Sequence, residues 1–110
     1  MEFGDSTVIE ITKKGKNLTL VIEIDKSKEV ITFVFENVTN DNVLLDYWKK
    51  VHFTKDGALT FPKNKDAKWN TLSWLTINDD VANPNVRLTF ITSDTLEFNF
   101  KSYSSKSVKQ

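Results

Sequence analysis

The sequence predicts a mainly β protein, in which an antiparallel meander forms a sandwich or a partly open barrel with at most one short helix. Two observations support this class: apolar and polar residues alternate along several stretches, and clusters of polar residues separate those stretches. A period of two places every second side chain on one face of a sheet. Strands with one apolar and one polar face are typical of antiparallel sheets. The same pattern predicts core positions at Leu20, Ile22, Phe33, Phe35, Leu88, Phe90, Phe98 and Phe100.

The first third of the chain predicts a meander of hairpins. Its three strands are expected at residues 7–12, 18–24 and 30–36. In the first strand, Ile9 and Ile11 are expected to face inwards. The turn before the second strand contains Gly15, which adopts a positive φ without steric cost.

The alternation stops between residues 39 and 51, where the apolar spacing becomes helical. The predicted helix spans residues 41–50, with Asp41 among the candidate N-caps. Its inward face is expected to hold Val43, Leu44, Tyr47, Trp48 and Val51, and its outward face Asp46, Lys49 and Lys50. The competing interpretation is a strand with Val43, Leu45 and Tyr47 on one face.

The second half predicts further strands and a polar end. A short hairpin is expected around Lys55-Asp56-Gly57, because Asp-Gly favours tight turns. The strands of this half are expected at residues 51–54, 58–61, 71–77, 86–92 and 95–101. Residues 104–110 are expected to form a frayed tail. Residues 1–103 then form one β-rich domain.

Composition and charge narrow the functional classes. The chain has 110 residues and no cysteine, so it forms no disulfide and no thiolate metal site. Fifteen basic and fifteen acidic residues cancel, which makes nucleic-acid binding an unfavoured interpretation. The charge is uneven along the chain: residues 1–48 carry nine acidic residues and five lysines, and the remainder carries ten basic and six acidic residues. No stretch is long and apolar enough to span a bilayer, and residues 1–10 lack the apolar region of a signal peptide. A cytoplasmic location is the expectation.

The sequence contains no motif that indicates catalysis or cofactor binding. His52 is the only histidine, which excludes a zinc site with several histidine ligands. No Gly-x-Ser-x-Gly motif accompanies it, so a Ser-His-Asp arrangement of that type is not indicated. The expectation is a protein without cofactor, metal or enzymatic activity.

The tryptophans are the strongest candidates for ligand contact, because flat aromatic faces bind sugars and stack on bases. Trp48 and Trp74 are expected in the core. Trp69 lies between Lys68 and Asn70 in a polar loop and is the best candidate for an exposed ring.

The opening of the chain carries a family resemblance. It comprises Phe3, Asp5, Ser6, Val8, Ile11, Leu18, Leu20, Ile22, Ile31, Phe33, Phe35, Glu36, Asn37 and Val38. This N-terminal third resembles small β-rich bacterial proteins of the immunity type, which open with an aromatic-His-Asp-Ser segment ahead of a meander. Gly4 stands in place of that His. The resemblance implies a protein that neutralises a cognate toxin by binding it.

Two functional hypotheses follow. The first is a small protein-binding module, with a toxin as the partner. Its predicted binding residues are Asp41, Asp46, Tyr47, Trp48 and Lys49. The alternative is a β-barrel or sandwich that binds a sugar or lipid through Trp69 and Trp74.

Overall fold

The computed structural model describes residues 1–52, 70–92 and 95–108. This part of the chain contains eight strands and one helix. The strands are β1 (Glu2–Phe3), β2 (Ser6–Lys14), β3 (Asn17–Ile24), β4 (Val30–Glu36), β5 (Thr71–Asn78), β6 (Asn85–Phe90), β7 (Thr95–Asn99) and β8 (Ser102–Val108), and the helix is α1 (Asn42–His52). The predicted hairpin at 51–61 lies outside the described residues except for positions 51 and 52, which belong to α1 instead.

All the described strands join one antiparallel sheet, which confirms the predicted class. The strand order is β7-β6-β5-β2-β3-β4-β8, and β1 pairs with β5. Two meanders, β2-β3-β4 and β5-β6-β7, are joined by a short contact in which Ser6 pairs with Leu72 and Thr7 with Thr71. Gly15 has the expected positive φ of 62°. The sheet is open rather than closed into a barrel.

The sheet curves around a single aromatic-rich core. Four strands separate Phe35 on β4 from Phe98 on β7 in the sheet order, yet their ring centroids are only 5.2 Å apart. Two residues, Phe100 and Lys101, carry the chain from β7 across to β8. The Lys101 amide donates to the Glu36 carbonyl over 2.9 Å, which secures this crossing. All eight predicted core residues are buried.

Two β-bulges change which side chains reach that core. One lies between Val8 and Glu10 in β2, and the expectation that Ile9 faces inwards is wrong: Ile9 is 46% exposed. A bulge adds one residue to one strand and so interrupts the alternation. The second lies between Leu72 and Trp74 in β5, and the expectation that Trp74 is a core residue is also wrong, because it is 45% exposed.

Helix α1 covers the core beside β6 and β7, and its existence excludes the competing strand interpretation. Leu44 and Trp48 are buried, and the Tyr47 ring packs on Phe90 with centroids 4.6 Å apart. Val43 was expected to face the sheet, but it is 64% exposed. It lies at the start of the helix, on the side away from the buried stripe.

The C-terminal segment differs from its prediction. Residues 102–108 were expected to lie mostly in a frayed tail, but they form β8, which pairs with β4 from Glu36↔Ser102 to Val30↔Val108. Backbone hydrogen bonds of a ladder do not depend on apolar side chains. Tyr103 also anchors the strand, because its ring lies 5.6 Å from that of Phe35.

Candidate binding groove between α1 and β2

Three of the five predicted binding residues hold α1 against the sheet. Asp41 is 6% exposed and forms an ion pair with Lys13 of β2. Trp48 is 7% exposed and belongs to the core. The Tyr47 hydroxyl bonds with the Thr92 hydroxyl over 3.1 Å. Their side chains are therefore used mainly within the fold.

The surroundings of Tyr47 affect its pKa. Burial raises the pKa of the Tyr47 phenol above its ordinary value of 10.0, and the hydrogen bond with Thr92 opposes that shift. The phenol is therefore neutral at physiological pH.

Asp46 and Lys49 remain exposed on α1, as predicted. Lys49 also borders a groove of about 690 Å³ between the helix and β2. The lining consists of Ile9, Glu10, Ile11, Thr12, Lys13, Val21, Leu45, Trp48 and Lys49. The structure thus brings two of the five predicted residues, Trp48 and Lys49, to one concave surface.

The groove lies beside β2 and also reaches Val21 of β3. Five consecutive residues, 9–13, line it, whereas a strand that presented only one face would contribute every second residue. Among the described residues, β2 pairs with β5 only at Ser6 and Thr7 and with β3 along its other side. Beyond that short contact, no described strand pairs with this side of β2.

Asn70 marks the place where β2 and β5 separate. Its side-chain amide donates to the Val8 carbonyl over 3.2 Å, and Asn70 is only 8% exposed. A buried carbonyl without a partner is costly, so this bond replaces a missing ladder bond. The bulge at Ile9 follows directly in β2, and Ile9 is the first of the β2 residues that line the groove.

Sequence reasoning missed the β2 wall of this site, including Ile9, and Leu45 opposite it. The available signal was the adjacent pair Val8 and Ile9, which breaks strict alternation inside a predicted strand. A bulge accounts for such a pair, because it adds one residue to the strand and shifts the alternation.

The alternative ligand site is only partly described. Trp69 lies outside the described residues. Trp74 lies on the outer face of β5, where Thr89 of β6 and Thr95 of β7 continue its row across the sheet. It does not line the groove beside α1.

Within residues 1–52, 70–92 and 95–108, no group of three or more His, Cys, Asp or Glu side chains is placed to hold a metal ion. The described helix is also too short to cross a membrane. The side chain of His52 lies outside the described part of the chain. Comparison of the chain with protein-family models, curated proteins and solved structures finds no match.

Proposed function

We propose that this protein is a small non-catalytic binding module that takes an extended segment of a partner protein into the groove between α1 and β2. The partner we propose is a toxin, which the module neutralises by direct binding. The observation that carries the proposal is that residues 9–13 of β2, which no described strand pairs with on one side, lie opposite a helix wall formed by Leu45, Trp48 and Lys49.

A strand edge beside a helix suits addition of an extended segment. The backbone N–H and C=O groups on such an edge form a ready template for another strand. In β-augmentation, main-chain hydrogen bonds supply affinity and pockets for alternate side chains supply specificity. Any extended segment of a partner protein supplies the backbone groups that such hydrogen bonds need.

The helix wall adds side-chain selectivity. Leu45 is half-buried and Ile9 is 46% exposed, so both offer apolar area to an incoming side chain. Lys49 provides a positive charge at the same wall. A partner strand with apolar residues at alternate positions and an acidic residue opposite Lys49 fits this surface best. Charge complementarity would contribute mainly to association rate and selectivity.

One sequence feature and one general consideration support a toxin as the partner. The N-terminal third that resembles immunity-type proteins includes β2, which forms one wall of the groove. Neutralisation by binding also requires no catalytic group, only a surface that competes with the toxin's own target.

The binding part is tested with a displayed library of random dodecapeptides selected on the folded protein. A selected peptide is then titrated while backbone amide resonances are recorded by NMR. We expect the largest shifts at residues 9–13 and 45–49. Shifts confined to the outer face of β5–β7, or a selection that yields no binder, would contradict the proposal.

A matched pair of variants on α1 separates the groove from the rest of the helix. Leu45→Lys places a charge in the groove wall, whereas Val43→Lys places the same charge at a residue that is 64% exposed. We expect Leu45→Lys to weaken peptide binding by about tenfold or more and Val43→Lys to leave it unchanged. Urea unfolding of both variants checks that the fold is kept. Equal weakening by the two would reject the groove as the site.

The identity of the partner is tested separately. The protein is co-expressed with the product of its neighbouring gene, and growth of the host cells is measured. We expect protection from a toxic product, and loss of that protection with Leu45→Lys. If peptides bind the groove but no toxic neighbour is neutralised, the binding module stands and the toxin is rejected.

A further inference from the structure

A second surface lies on the outer face of the sheet, formed by strands that do not border the groove. It is a cleft of about 430 Å³ lined by Trp74, Thr76, Arg87, Thr89, Thr95 and Glu97. We propose that this cleft is a binding site for a neutral pyranose sugar, with Trp74 as the stacking platform. The proposal is independent of the groove beside α1.

Strand register places these six side chains in two parallel rows. Trp74 pairs with Thr89, which pairs with Thr95, and Thr76 pairs with Arg87, which pairs with Glu97. Directly opposed residues on one face of neighbouring strands have Cβ atoms about 5 Å apart, so each row is a continuous strip. The ring of Trp74 thus has polar groups beside it along two directions of the sheet.

The exposure of Trp74 is a product of the fold. The bulge between Leu72 and Trp74 turns the indole outwards, while Leu72 and Leu75 on either side remain fully buried. Gly4 lies against one edge of the ring: a Cβ there would stand 3.7 Å from the Cζ3 atom. An indole that is 45% exposed leaves a large apolar area in water, which covering by a ligand would remove.

The polar groups around the ring match the hydroxyls of a sugar. The Thr89 and Thr95 hydroxyls bond with each other over 3.0 Å, so they form a fixed pair that retains acceptor capacity. Arg87 donates through Nε to Glu97 over 3.1 Å, which uses one of its five N–H donors. Thr76 adds a third hydroxyl. Donors and acceptors are both present, as hydroxyl groups require.

The charges favour a neutral ligand over an anionic one. Arg87 and Glu97 neutralise each other as an ion pair, and Glu2 extends their row through its pairing with Thr76. A nucleic acid or an anionic lipid head group would meet these carboxylates. A hydrocarbon chain would leave the hydroxyls and the guanidinium without partners. A pyranose has a C–H face that packs on the indole and hydroxyls that bond with the polar groups around it, so it suits both parts of the cleft.

The test uses a panel of neutral hexasaccharides built from glucose, N-acetylglucosamine, xylose or mannose. Each is titrated to about 10 mM, so that dissociation constants in the millimolar range are detected. The indole N–H resonance of Trp74, assigned by its loss in Trp74→Phe, reports contact at the site. We expect at least one sugar to shift it. Shifts confined to the other two tryptophans, or none across the panel, would overturn the proposal.

Variants test the mode of binding. Trp74→Ala is expected to weaken binding of the sugar that responds in the panel by about tenfold or more. Trp74→Phe is expected to weaken that binding less, because a smaller aromatic face remains. Thr76→Val removes one hydroxyl with little change of shape and is expected to weaken binding as well. Val43→Ala on α1 is the control and should have no effect. Thermal unfolding of each variant checks the fold. Unchanged sugar affinity in Trp74→Ala would reject the sugar site. A protein partner whose binding requires Trp74, together with no binding of any sugar in the panel, would reject it as well.

Discussion

Lys13 and Asp41 form an ion pair that ties the end of β2 to the residue before α1. The Asp41 side chain is 8% exposed and that of Lys13 is 24% exposed, so the pair is largely shielded from water. The Asp41 carbonyl also accepts the Leu45 amide over 3.0 Å, which is the first bond of the helix. This contact sets the position of the helix wall relative to β2 and so the width of the groove.

Removal of either charge is expected to destabilise the protein. Lys13→Met leaves a shielded carboxylate without its cation, and Asp41→Asn keeps a good N-cap while removing the charge. We expect each to reduce the free energy of unfolding by about 1–3 kcal/mol, and the double variant by less than the sum. Urea unfolding of the four proteins measures this coupling. Strict additivity would show that the pair contributes nothing.

The contact between Phe35 and Phe98 is expected to be essential for the curved sheet. Phe98→Ala removes a fully buried ring, and we expect a loss of about 3–5 kcal/mol because the transfer and cavity effects add. Since that loss approaches the whole stability of a small domain, Phe98→Leu provides a milder comparison. Urea or thermal unfolding measures both. A loss below about 1 kcal/mol for Phe98→Ala would contradict the assigned packing.

Asn70 is expected to be more important than an ordinary asparagine. In Asn70→Asp the carboxylate is unable to donate to the Val8 carbonyl, and it places a charge at a site that is 8% exposed. We expect a loss of about 1–3 kcal/mol. Asn83→Asp, at an exposed residue, is the control and should change stability by less than about 0.5 kcal/mol. Equal effects would mean that the bond to Val8 is dispensable.

The two tyrosines are expected to ionise above their ordinary pKa in the folded protein. Burial raises the pKa of Tyr47, and burial followed by the charge of Asp79 raises that of Tyr103. Because the chain has only two tyrosines, Tyr47→Phe leaves Tyr103 as the single phenol in an absorbance titration of tyrosinate. Ionisation of either phenol at or below its ordinary pKa would contradict the described environment.

The same shift has a consequence for stability. A phenol whose pKa is higher in the folded state stays neutral there after the unfolded chain has begun to ionise. The contribution of Tyr47 is therefore complete below about pH 10 and is lost as the pH rises through its folded pKa. We expect the stability of the wild type to fall more steeply above pH 10 than that of Tyr47→Phe, as measured by urea unfolding.

The faces of the strands were predictable, but their neighbours were not. A period of two identifies buried positions such as Phe33 and Phe98, and these predictions are confirmed. It does not say that β2 pairs with β5 across more than sixty residues of chain. Strand pairing is decided by long-range packing and backbone hydrogen bonds, which leave no local pattern.

The candidate site was only half predictable for a related reason. The helical stripe predicts Trp48 and the outward face predicts Lys49, so two of the three residues of the helix wall follow from the sequence and Leu45 does not. The β2 wall depends on a bulge at Ile9 and on a strand that separates from its neighbour after Thr7. A single added residue reverses the side of every later side chain, which is why Ile9 and Trp74 were both misplaced.

The pairing of β8 with β4 has a temporal consequence. Ser102 bonds to Glu36 across 66 residues, so this ladder begins only after the 66 residues that follow β4 have been synthesised. Until then β4, with Phe33 and Phe35, is a strand edge that other unfinished chains are able to bind. Ladders between such distant segments also form slowly. The addition of β8 to the sheet therefore protects this edge of β4 from pairing with another chain.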